Sequence, residues 1–211
     1  MPGAVRLVGI CSRRLVWQRS RLAAGEGTRY AQRRNSSDFV HIQGIKDLNV
    51  NQNPKAIANL ILEVANALGT RASNLSVNKI AYFAHGSYLA KYKKPLIDAK
   101  IEAWQYGPVF REIYHEFKKC GDKHINFFAK ELNLDTGEME VARYELPVEE
   151  ETFLRDVIES YLRMTPGYLV EKSHLADSPW HNAWYHEGRI NPGMEISDAA
   201  ILEYFTDQVR H

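Results

Sequence analysis

From Asn53 onward, apolar positions follow a helical rhythm far more often than an alternating one. Asn53-Pro54 reads as an N-cap with proline at the first helical position, followed by Ile57, Leu60, Ile61, Val64 and Leu68 at helical spacing, and Gly69 ends that helix. Ser76 is expected to cap the next helix, in which Val77, Ile80, Ala81, Tyr82, Phe83, Ala84, Tyr88 and Leu89 cover most of the circumference. A helix apolar nearly all round is a central one, here Val77 to Ala90.

Alternation sets in from Lys100 to Tyr106, with Ile101, Ala103 and Gln105 on one face and Glu102, Trp104 and Tyr106 on the other. Gly107-Pro108 is expected to break this strand and start a helix carrying Val109, Ile113, Tyr114 and Phe117, stopped by Lys118, Lys119 and Gly121. Leu132 to Leu134 and Met139 to Tyr144 flank Asp135-Thr136-Gly137 as a hairpin. Pro147 opens an amphipathic helix lined by Phe153, Leu154, Val157, Ile158, Tyr161 and Leu162, with Glu149 to Glu151 at its positive end. Thr165-Pro166 and Ser178-Pro179 each read as a cap and a first-turn proline, opening short helices around 169–174 and 180–184. Asn191-Pro192-Gly193 is a turn, and Ser197 caps a last helix with Ile201, Tyr204 and Phe205 inward. The expected class is mainly α (α+β): a compact helical bundle around a central apolar helix. Its small antiparallel sheet is expected to come from the 100–106 strand and the 132–144 hairpin.

The 211 residues suit one domain with a leader. Lysine plus arginine (27) nearly balance aspartate plus glutamate (26), but the first 34 residues hold eight arginines against one acid, Glu26. The remainder is net acidic, which disfavours nucleic acid as its partner. Residues 1–43 form a basic segment with no sustained periodicity. Three readings compete for it: a disordered arm, an organellar-type presequence, or sequence translated from too early a start. A non-core extension is favoured, leaving 48–211 as the domain. Cys11 and Cys120 form neither a disulfide framework nor a CxxC pair, and no apolar run approaches the roughly 20 residues that span a bilayer. A cytoplasmic protein with no membrane partner is expected.

Candidate chemistry is thin. His85, His115, His124, His174, His181 and His186 occur without HExxH or another ligand spacing, so no metal site is expected. His85 is read as filling a polar niche between helices, and His174 as hydrogen-bonding near the Ser178-Pro179-Trp180 turn. Cys120 falls at a helix C-terminus, where the dipole raises a thiol's pKa, and no glycine-rich phosphate loop occurs. No catalytic residue and no cofactor are expected, and the chain is read as no enzyme. The aromatics Trp104, Tyr106, Tyr114, Trp180, Trp184 and Tyr185 flank turns, where they serve either ordinary packing or a partner surface.

One set of blocks is more specific: Asn78-Lys79-Ile80-Ala81-Tyr82-Phe83-Ala84-His85-Gly86, Pro95-Leu96, Ile101-Glu102-Ala103-Trp104-Gln105-Tyr106-Gly107-Pro108-Val109 and Tyr114 to Phe117. With Ser173-His174, Ser178-Pro179-Trp180, Ala183 and the 196–205 segment, it resembles the Panacea domain, the SocA-like or phage-associated GepA family, over about 53–207. The resemblance implies an antitoxin that neutralises a cognate protein toxin by direct binding; small alarmone-synthetase-like toxins are among the toxins of the family. It also implies an alternative, a proteolytic adaptor handing the toxin to a ClpXP-type protease. It implies no catalytic centre. The expected toxin-binding residues are Trp104, Tyr106, Arg111, Trp180 and Trp184. The basic leader is a departure from the family's core, and it shows no helix-turn-helix pattern.

Overall fold

The computed structural model describes residues 51–209. The reading of 1–43 as an extension, and the domain start at 48, lie outside the described residues. Helix α1 (Pro54–Ala67) opens where Asn53 accepts a hydrogen bond from the Lys55 amide, and α2 (Asn74–Tyr92) is the central helix, almost wholly buried. Its cap is Ser73, one turn earlier than Ser76, with Ser73 Oγ accepting from the Ser76 amide at 3.3 Å. The extra turn carries Asn74, which the apolar pattern could not register: buried Asn74 and, one turn further on, buried Asn78 tie α2 to its neighbours through the Tyr114 carbonyl and the Phe110 amide.

The expected strand at 100–106 is two strands. β1 (Ile101–Trp104) turns over Gln105-Tyr106 into β2 (Gly107–Phe110), and only then does α3 (Arg111–Phe117) begin. Trp104 pairs with Gly107 and Ile101 with Phe110. Gly107 supplies the positive φ of 99° that this tight turn requires, and Pro108, lacking an N–H, is tolerated because β2 is an edge strand. So Gly107-Pro108 does not break the sheet. It turns the chain within it.

The hairpin at 132–144 forms as β3 (Lys130–Leu132) and β4 (Met139–Val141), but it does not join β1. Instead β5 (Met194–Ile196), a three-residue segment too short to show alternation, pairs with β1 on its free side, giving the order β2-β1-β5. The β3–β4 hairpin is fastened to α1 by buried Asn59, whose Nδ2 donates to the Ala129 and Ala142 carbonyls (3.0 and 2.8 Å) and whose Oδ1 accepts from the Ala129 amide (2.7 Å).

The remaining helices are α4 (Val148–Leu162), α5 (Pro166–Ser173), α6 (Pro179–Trp184) and α7 (Asp198–Val209). Thr165 and Ser178 cap α5 and α6 as the sequence predicts, and the Ser197 hydroxyl accepts from the Ala200 amide at the start of α7. α1, α3, α4, α5, α7 and β2 all pack on α2, which accounts for its lack of a polar face. The architecture is the expected α+β class. α7 meets α2 where Gly86 leaves room for the Phe205 ring; a Cβ at Gly86 would fall 2.5 Å from that ring. Gly86→Ala is expected to lower stability by about 1–2 kcal/mol, overpacking outweighing the gain in helix propensity. A melting temperature equal to or above wild type would contradict that contact.

Candidate functional site

The β1–β2 turn is where the expected site residues gather. Tyr106 stands at its tip, 64% exposed, beside a cleft of about 580 Å³ lined by Trp104, Tyr114, Asn78, Val109 and Lys79 among others. Trp104 is half-buried and held from two directions. Its indole Nε1 donates to Glu102 Oε2 at 2.8 Å, and its ring meets Tyr114 edge to face with centroids 4.8 Å apart. The exposed Arg111 donates to the other oxygen of Glu102 at 3.4 Å, so Glu102 links Trp104 to Arg111 along one surface.

Trp180 and Trp184 stand differently. Trp180 is only 4% exposed, with Nε1 donating to the Trp104 carbonyl at 2.9 Å and its ring stacked on His174 at 3.7 Å. It braces the turn from behind and offers no surface, because the Ser178-capped helix α6 drives the side chain inward against β1. Trp184 is half-buried and stacks on Trp180 at 5.6 Å. The exposed face is therefore made by Tyr106, Arg111 and part of Trp104. His174 also departs from expectation: instead of a local side-chain bond, its Nε2 is buried without a partner, and burial, then the nearby Lys79 charge, hold its pKa below the usual histidine value.

Lys79 is the residue that sequence reading passed over. It is 0% exposed, in the middle of α2, and Nζ donates to the Pro108 carbonyl at 2.8 Å. Burial lowers its pKa from 10.5 to about 7. Gly107 lies directly against it: a Cβ there would come 2.9 Å from Nζ and 2.5 Å from Ser173 Oγ. The signal was present, since a lysine on a helix apolar nearly all round has no outward face to occupy.

His85 fills the polar niche expected of it. Its Nδ1 accepts from the Ile97 amide at 3.3 Å, which leaves Nε2–H to donate to Asp198 Oδ1 at 3.0 Å. Cys120 is half-buried at the end of a short 3-10 turn. Among the described residues no group of three or more His, Cys, Asp or Glu is placed to hold a metal ion, and no helix is long and apolar enough to cross a membrane.

The described residues thus form a small α+β domain with an aromatic cleft at a hairpin turn braced from the core. Comparison with known proteins places that description within one group. The model of the family described as "Antitoxin SocA-like, Panacea domain" matches residues 77–181, a stretch that runs from α2 through the cleft to α6. The chain is 32% identical over 155 residues to "Antitoxin SocA" of Caulobacter vibrioides (strain NA1000 / CB15N), a match covering 73% of this chain and 82% of that protein. The chain belongs to the SocA-like antitoxin family with a Panacea domain. No solved structure matches it.

Proposed function

We propose that this chain is an antitoxin that neutralises a cognate protein toxin by direct stoichiometric binding, without chemistry of its own. The contact surface in this reading is the face formed by Tyr106, Arg111 and the exposed part of Trp104, with the adjoining cleft. One observation carries it: a tyrosine 64% exposed at the tip of a turn braced from the core by Trp180. A tyrosine held out in solvent, with only two side-chain torsions to fix, loses little conformational freedom on binding, and Tyr, Trp and Arg are the residue types that dominate interface energetics. An interface of about 1,600 Å² would extend well beyond this patch. The family resemblance makes a small alarmone-synthetase-like toxin one partner class to try.

The test is co-expression with the product of the adjoining gene. Wild type is expected to restore growth and to co-purify with that product in fixed stoichiometry. Tyr106→Asp should melt as wild type does, because the side chain is exposed, while binding roughly 30-fold or more weakly. Undiminished binding by Tyr106→Asp would move the interface elsewhere. Rescue that depends on a host protease, with no complex formed, would overturn direct neutralisation itself.

A further inference from the structure

Lys79 is a buried amine, protonated below about pH 7, with no acidic partner among the described residues. Among the described residues no carboxylate pairs with it, and its one hydrogen bond goes to a neutral acceptor, the Pro108 carbonyl. Buried charges are normally compensated, because desolvating an ammonium is costly and a backbone carbonyl returns only part of the loss. Holding the Pro108 carbonyl needs only a neutral donor, so that bond alone does not account for a lysine here.

The surroundings point outward. Lys79 forms part of the floor of the cleft beside the β1–β2 turn, yet no part of it is exposed, since Gly107 lies directly against Nζ. The charged side chains of the lining are Lys79, Lys118 and Asp122, two cations to one anion, and Lys118 and Asp122 are exposed. Trp104 and Tyr114 wall the same cleft with apolar surface suited to the aliphatic part of an entering side chain.

We propose that this cleft receives an acidic side chain of the toxin, whose carboxylate moves the Gln105-Tyr106-Gly107 segment slightly outward and pairs with the Lys79 ammonium. The proposal rests on the direct-binding reading above and adds the chemistry of the partner's anchor to it.

The pairing has a proton signature. In the free protein Lys79 loses its proton through about pH 7, and a carboxylate against it would hold the proton to higher pH. Complex formation should take up about 0.5 proton at pH 7 and about 0.9 at pH 8. Other groups near Lys79 do not supply this. β2 carries no ionisable side chain, and His174, just past the end of α5, is held below its usual histidine value by burial and then by the nearby Lys79 charge. Tyr114 on α3, with Lys118 and Asp122, makes up the rest of the ionisable lining beside Tyr106. On β1, Glu102 is held by Trp104 and Arg111. Of the acids on the other helices against α2, Asp198 is bound to His85, Glu150 to Tyr88 and Lys94, and Glu63 to Tyr144 and Arg155.

The experiment is titration calorimetry of the full chain against the product of the adjoining gene, in pairs of buffers with different ionisation enthalpies, from pH 6.5 to 8.5. Wild type is expected to show proton uptake rising across that range. Lys79→Met, which keeps the length of the side chain, should bind roughly 100-fold or more weakly and lose the added uptake. Binding by wild type with no uptake at pH 8 overturns the pairing without help from any variant. Full-strength binding by Lys79→Met does the same, and in both cases direct neutralisation stands. Absence of any complex with wild type overturns both readings.

Discussion

Replacing Asn59 with alanine is expected to lower the unfolding free energy by about 3 kcal/mol, the largest loss anticipated from any single polar side chain here. Asn59 is buried on α1, and its amide makes three hydrogen bonds to the backbone at the two ends of the β3–β4 segment, at Ala129 and Ala142. The Ala129 carbonyl keeps a second donor, the Ala142 amide, when Asn59 is removed. The Ala129 amide and the Ala142 carbonyl lose the Asn59 bond, and both residues are buried. An orphaned buried backbone group costs about 1–3 kcal/mol, which sets the estimate. Urea unfolding should show a lower midpoint, and hydrogen exchange should show the 129–142 amides opening more readily than those of α2. A loss below about 1 kcal/mol would mean that the hairpin is held by something other than this asparagine.

The second large effect runs the other way. Lys79→Met is expected to stabilise the protein by about 2 kcal/mol at pH 7, since relief from the desolvated lysine, about 4 kcal/mol at that pH, outweighs the bond that the Pro108 carbonyl loses. The same burial gives wild type a distinctive pH profile. Lysine titrates near 10.5 when unfolded and near 7 in the folded chain, so between those values the unfolded state binds the extra proton. Stability should therefore rise with pH, by roughly 3 kcal/mol from pH 7 to 9.5. Above about pH 10 it should fall again, because burial pushes the Tyr82 phenol well above its ordinary value while the unfolded tyrosine ionises. Denaturant midpoints measured from pH 6 to 11.5 check both signs. A flat wild-type profile, or a Lys79→Met variant less stable than wild type at pH 7, would show that the lysine is not desolvated in the fold.

These two residues also mark the limit of what the sequence disclosed. Position-by-position apolarity placed α1, α2, α4 and the proline-opened α5 and α6, because each buries a stripe or a whole circumference that only a helix could bury. It did not place β5, whose three residues gain their strand character from pairing with β1. Gly107-Pro108 was read as a break because each residue is a local breaker, whereas here the glycine makes a turn and the proline faces an open sheet edge. Asn59 and Asn78 were invisible, since a buried asparagine and an exposed one look alike without their partners.

The site was legible to a similar extent. Tyr106 and Arg111 lie at the surface with part of Trp104, consistent with residues that flank a turn, but Trp180 has its aromatic bulk turned inward onto His174 and the Trp104 backbone. Turn proximity predicts neighbourhood along the chain. It does not tell which member of an aromatic cluster faces water, because that depends on how α6 is docked against β1.

The central claim is that this chain silences a toxin by holding it. The most direct measurement combines the purified full chain with the purified product of the adjoining gene, with no protease present, and follows both complex formation and the toxin's activity. Saturable binding at a fixed ratio, with activity falling in proportion to the complex formed, is the expected result. Undiminished toxin activity at a large excess of this chain would contradict the account.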